Sequence, residues 1–90
     1  MLRKAKVDAN QPEIVKHLRQ LGAGVIHTHQ LKNAFDILVL FRGRSYIVEI
    51  KQPKKKLTPG EEKCKELVES KGVKYWVITS KEEAQKMIGL

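Results

Sequence analysis

Cysteine is almost missing from this chain. The single Cys64 can close no internal disulfide and has no second thiol with which to build a zinc cluster, which suits a reducing compartment such as the cytosol. Long apolar runs are missing too. None approaches the roughly eighteen residues of a membrane span, and the Met-Leu-Arg-Lys start carries no apolar signal core, so a soluble protein without a membrane partner is expected. Acidic residues are scarce: ten Asp and Glu stand against eighteen Lys and Arg, a formal charge of +8, which points to a polyanionic partner, nucleic acid first. No internal repeat, low-complexity tract or linker divides the chain, so its 90 residues form one domain, 1–90, large enough to bury roughly 60–65% of the unfolded chain's surface.

Helix and strand signals alternate along that domain. Asn10-Gln-Pro-Glu13 has the form of a capping box with Pro in the first turn, and Ile14, Val15, Leu18 and Leu21 follow at helical spacing until Gly22. Gly24 to His29 reads as a short strand and 30–35 as a loop. Asp36 to Phe41 and Ser45 to Lys51 read as two strands of a hairpin around Arg42-Gly43-Arg44. Thr58-Pro59-Gly60-Glu61 is a second capping box, opening a helix with Cys64, Leu67 and Val68 on one face. Val73 to Thr79 is a fourth strand, and Ser80 to Glu83 caps a last helix. The order α-β-β-β-α-β-α predicts an α/β fold with a mixed four-stranded sheet flanked by helices, because a strand following a helical crossover runs parallel to its partner.

The chemistry sits at the ends of the hairpin. Alternation puts Glu49 and Lys51 on one face of their strand. If Gly43-Arg44 is a two-residue turn, Arg42 pairs with Ser45, Asp36 falls opposite Lys51, and Glu49 is the diagonal neighbour. All three then share a face, while Ile37, Val39, Phe41, Tyr46, Val48 and Ile50 form an apolar row on the other. An odd-numbered loop would reverse the parity unless a bulge restored it. Two neighbouring carboxylates suit a hard cation such as Mg²⁺, with Mn²⁺ as a substitute, and the Ile50 carbonyl offers a third oxygen. Lys51 could orient or help deprotonate a nucleophile, or stabilise charge developing on a phosphate. The bland alternative is an ordinary strand-end ion pair plus a turn residue. Against it stands the basic surround: Arg3, Lys4 and Lys6; Arg42 and Arg44; and Lys51 followed by Lys54, Lys55 and Lys56. These make candidate DNA contacts.

Asp36…Glu49-Ile50-Lys51 in this element order resembles the PD-(D/E)xK nuclease superfamily. Phe35-Asp36-Ile-Leu-Val, Arg42-Gly43-Arg44 and the Leu57-Thr58-Pro59 helix start are similar to stand-alone VRR-Nuc (virus-type replication and repair nuclease) domains, over nearly the whole chain. The resemblance implies metal-dependent DNA cleavage by Asp36, Glu49 and Lys51, and a homodimer that resolves branched DNA such as four-way (Holliday) junctions in DNA repair or in a phage. It also implies an acid on the first helix that approaches the metal through water. Glu13 is the candidate, with the capping box as its alternative role. Phe35 stands where the superfamily name has Pro. Gln52, after the lysine, either touches a water or phosphate at the site or is a polar loop residue.

Other residues have plainer readings. Asp8 reads as a surface or pre-helix residue, with involvement in the site as the alternative. His27 and His29 lack a third ligand for a transition metal. His17, one turn after Glu13, reads as a helix-surface contact, and Tyr75 and Trp76 as core. The competing functions are a catalytically silent DNA-binding module and a nuclease of other specificity, for duplex nicking or RNA.

Overall fold

The computed structural model describes residues 8–90, so Arg3, Lys4 and Lys6 lie outside the described residues. The predicted order is the observed one: α1 (Gln11–Gln20), β1 (Gly24–His27), β2 (Ile37–Phe41), β3 (Arg44–Ile50), α2 (Pro59–Ser70), β4 (Tyr75–Ile78) and α3 (Lys81–Met87). The sheet runs β1-β2-β3-β4, antiparallel except for the parallel pair β3 and β4 that the α2 crossover joins. No helix among the described residues is long and apolar enough to cross a membrane.

The hairpin turn lies one residue earlier than expected. Phe41 pairs with Arg44, and the two turn residues are Arg42 and Gly43, both with positive φ (49° and 78°), as a type I′ turn demands. The register therefore shifts by two, with Ile37 opposite Val48, and a shift of two preserves which face each side chain occupies. The apolar row emerges as predicted: Ile37, Val39, Phe41, Tyr46, Val48 and Ile50 are all buried, against Ile14, Val15 and Leu18 of α1 and Ala84 and Met87 of α3. Each such side chain contributes on the order of 1.5–3 kcal/mol. This face is the core.

The opposite face is thinly covered. None of α2's residues is buried, and Leu67 is 61% exposed, so the expected packing stripe of Cys64, Leu67 and Val68 is not sealed against the sheet. Ile26, Leu40 and Val77 also stay exposed there.

The start of α1 differs from expectation as well. Asn10 makes no side-chain cap, and Glu13 does not reach back to it. The Asn10 amide instead donates to the carbonyls of Lys51 (3.0 Å) and Thr79 (2.8 Å), tying the helix to the carboxyl ends of β3 and β4. His17 likewise contacts Gln85 (2.8 Å) rather than Glu13, linking α1 to α3. Asn10→Ala is expected to cost about 1–3 kcal/mol by stranding two carbonyls, read as a lower urea midpoint at unchanged slope. Asn10→Asp, which keeps a capping oxygen and loses the donor, is expected to do as much damage; a wild-type midpoint for it would assign Asn10 a capping role instead.

Candidate active site

Four chain segments converge at the carboxyl end of β3. The Asp36 N–H donates to the Val48 carbonyl at 3.0 Å, and its carboxylate Oδ2 accepts from the Ile50 N–H at 2.8 Å, so the side chain is clamped across the strand end beside Glu49. From the other side, Thr28 holds the same stretch through its N–H to the Asp36 carbonyl and its hydroxyl to the Phe35 carbonyl, both 2.8 Å. Glu49 is 4% exposed, beneath α2, with the Tyr75 hydroxyl 3.4 Å from its Oε1. The predicted juxtaposition of Asp36, Glu49 and Lys51 is present, with Glu49 rather than Lys51 as the nearest strand neighbour of Asp36.

A third acid joins them that sequence reasoning assigned only to helix capping. Glu61 Oε1 accepts from the Thr58 N–H (2.8 Å), as the capping box predicts, and also from Lys51 Nζ at 2.7 Å. Lys51 is farther from Glu49, at 3.8 Å. The capping box thus positions a carboxylate that holds the lysine. Its sequence signature was visible; its reach across the site was not, because that depends on where α2 lands on the sheet. Gly60 matters here, since a side chain at that position would collide with Asn33 of the loop that closes over the acids. That loop, His29, Asp36, Glu49 and Glu61 line a polar cavity of about 150 Å³.

The electrostatics are those of acids forced together. Burial, then the Asp36 charge, then contact with Glu61, push the Glu49 carboxyl up to about 9. Burial raises Asp36 as well, against the opposing Ile50 hydrogen bond. Burial lowers Lys51, yet the Glu61 carboxylate beside it prevails and its ammonium is held above the ordinary lysine value. Glu61 is correspondingly lowered: burial raises it, and the Lys51 and Thr58 hydrogen bonds outweigh that. Tyr75 is raised by burial and by Glu49, so it stays a neutral hydroxyl.

The other sequence candidates fall at varying distances. Asp8 lies close enough for its charge to act on both Asp36 and Lys51, and it is the acid before α1 that approaches the site. Glu13 does not: it points from the exposed side of α1 to Lys81 (3.5 Å), so the expected role near the metal is corrected. The side chain of Gln52 makes no hydrogen bond among the described residues, while its carbonyl accepts from the Lys55 N–H. Lys54, Lys55 and Lys56 are exposed directly after β3, at the same end as the carboxylates. Arg42 and Arg44 are exposed at the opposite end of the hairpin, about 17 Å along β2 at the usual strand rise. His27 and His29 meet edge to face at 5.6 Å.

No group of three or more His, Cys, Asp or Glu among the described residues is arranged to hold a metal. A hard divalent cation asks for less: one or two carboxylates, with water and phosphate completing its shell. Asp36 and Glu49 are oxygen donors side by side in a polar cavity, and their mutual repulsion is what a cation would relieve. The residues fit such an ion.

A mixed sheet in this order, with an acid-acid-lysine set at the end of β3, is a nuclease-type core. No family model matches the sequence, and neither does any curated protein. In three dimensions it is similar to a solved structure described as a VRR_NUC domain, over 90% of this chain and 96% of that one, with a TM-score of 0.69 and 25% sequence identity.

The folded chain keeps a proton on Glu49 up to about pH 9, whereas the unfolded chain releases it near the ordinary 4.5. The metal-free fold is therefore expected to lose stability as pH rises between those values. Thermal melts in EDTA from about pH 5 to about pH 9 test this. Glu49→Gln should flatten the slope and raise the melting temperature at about pH 8 by roughly 5 °C, and Mg²⁺ should stabilise the wild type more at the higher pH. A melting temperature that climbs with pH would contradict the assignment.

Proposed function

We propose that this chain is an Mg²⁺-dependent DNA endonuclease, selective for branched DNA such as a four-way junction and acting as a homodimer. The observation that carries the reading is the half-buried Asp36 beside the buried Glu49, with a charged Lys51, opening beside the lysine-rich loop 54–56 of a chain with net charge +8. A binder acting through charge alone would gain nothing from acids placed against phosphates.

In this mechanism Asp36 and Glu49 would hold a cation through their carboxylates, with the Ile50 carbonyl as a third oxygen. Such an ion, when bound, would lower the pKa of a water and neutralise phosphate charge. Lys51, kept cationic by Glu61, donates to the phosphate as negative charge builds on it, in the manner of other preorganised donors. Asp36 is oriented by the Ile50 N–H and Glu49 is shielded by α2 and Tyr75. Lys54, Lys55 and Lys56 bind the backbone on the approach to the site.

Branched-DNA selectivity rests on the resemblance to stand-alone VRR-Nuc domains. The homodimer has separate support: Ile26, Leu40 and Val77, respectively 51%, 42% and 39% exposed, share the sheet face that α2 leaves open. A twofold pair would cover that face and present two cleavage sites.

Labelled four-way junction, linear duplex and supercoiled plasmid, each incubated with Mg²⁺, Mn²⁺ or EDTA, test the activity. Asp36→Ala and Glu49→Ala are expected to lower cleavage at least about a thousandfold, or roughly 4 kcal/mol of barrier, while DNA binding persists or tightens. Wild-type cutting by either variant, or binding with no metal-dependent cutting by the unaltered chain, would sink the proposal. For the assembly, Leu40→Lys is expected to turn a dimer into a monomer in sedimentation velocity without unfolding it; a monomeric wild type would remove the homodimer.

A further inference from the structure

A larger cavity than the acidic one lies beside it. A groove of about 580 Å³ runs between α1 and β1, lined by Gln11, Val15, Lys16, Arg19, His27 and His29 among others. We infer that this groove binds one unstacked nucleotide of the DNA strand, next to the phosphate held at the carboxylates. The inference rests on the nucleic-acid reading of the active site and adds a base-binding subsite to it.

Gln11 is the first reason. Its side chain is 1% exposed, with Nε2 3.5 Å from His27 Nδ1, and its Oε1 finds no partner among the described residues. A buried amide oxygen without a donor is costly and uncommon, so such a group implies something that completes it. The exocyclic amine of a base is a donor of the right kind, and a glutamine amide matches the paired donor and acceptor of an adenine edge. A second orphan lies alongside, since His29 Nδ1 is also buried and without a partner among the described residues.

Shape and charge agree with a nucleotide. Ligand sites of roughly 300–1,000 Å³ hold single small molecules, and a groove of this size admits one nucleotide but no duplex. The two imidazoles offer flat surfaces of the type on which bases stack. At the rim, Lys16 and Arg19 are exposed; the Arg19 guanidinium is held over β1 by its 3.1 Å hydrogen bond to the Val25 carbonyl, leaving further donors for a phosphate. The one acid of α1, Glu13, pairs with Lys81 instead.

Position connects the groove to the chemistry. β1 is an edge strand, so the groove is open along the side of the sheet. At its other end His29 forms a wall of both this groove and the acidic cavity. A strand whose phosphate lies at Asp36 and Glu49 would place an adjoining base against His29 and Gln11. Taking a base out of its stack costs a few kcal/mol in duplex and little at a branch or single-stranded end, so the groove would favour interrupted DNA.

The test follows the histidine-ring NMR signals of the full chain in EDTA while dAMP is added, with 2-deoxyribose 5-phosphate as the control that lacks a base. Saturable shifts at His27 and His29 with dAMP and none with the control are expected. Gln11→Leu, close in volume and free of the orphan oxygen, should weaken dAMP about tenfold or more. His29→Ala, in a loop, keeps His27 as the reporter and should also weaken it about tenfold. Absence of saturable shifts, equal shifts from the base-free control, or wild-type affinity in whichever of the two variants retains dispersed amide signals would overturn the proposal. Metal-dependent plasmid cutting is scored separately. Cutting without dAMP binding removes the groove and leaves the nuclease; dAMP binding without cutting does the reverse.

Discussion

Everything chemical in this protein depends on the pairing of β2 with β3. The Arg42-Gly43 turn, with both residues in the left-handed region, sets a register in which one hairpin face is wholly apolar and the other carries Asp36, Glu49 and Lys51. A slip of one residue would turn the acids into the α1 and α3 layer and the core residues out to solvent. Fold and site are thus secured by the same constraint. The burial of Ile37, Val39, Val48 and Ile50, all at 0% exposure, protects the register that aligns the acids behind them.

The site opposes the fold it sits on. Glu49 is placed where water is scarce and negative charges are close, and its carboxyl responds by holding a proton far above its ordinary range. Neighbouring groups limit that strain in different ways: the Ile50 N–H anchors Asp36, Lys51 and Glu61 neutralise each other, and Tyr75 stays uncharged. Such an arrangement is poorly suited to an ion-free state and well suited to a cation. Glu61 is central to it, because one oxygen both caps α2 and grips the lysine, so the helix cannot shift without moving the ammonium.

The two sides of the sheet divide the work. Stability comes from the side facing α1 and α3, where the core is continuous. The α2 side buries little apolar surface, and it is where the acids, the lysine loop and the uncovered Ile26, Leu40 and Val77 lie. A face left lightly packed is available for other molecules. The groove along β1 extends that logic, since Gln11 is buried as deeply as the core and yet its oxygen has no partner among the described residues.

Strict alternation from Ile37 to Ile50 made the hairpin, its buried row and the shared face of the two acids legible in the sequence, because strand parity is a local property that survives a shift of two residues. The Pro and capping signals made the helix starts legible for the same reason. What lay beyond was long-range. Asn10 and Glu13 had the spacing of a capping box, but Asn10 found two carbonyls more than forty residues away and Glu13 found Lys81, competitors that no local pattern contains. Glu61 was readable as a cap and not as the partner of Lys51, and for Asp8 a place near the site was only the second of two readings. By itself, then, the sequence determined element order, hairpin parity, the acid-acid-lysine set and the excess of positive charge. Only the tertiary structure decided which acids converge, who neutralises the lysine and where the open groove lies, because these depend on how separate elements pack together and not on the spacing within any one of them.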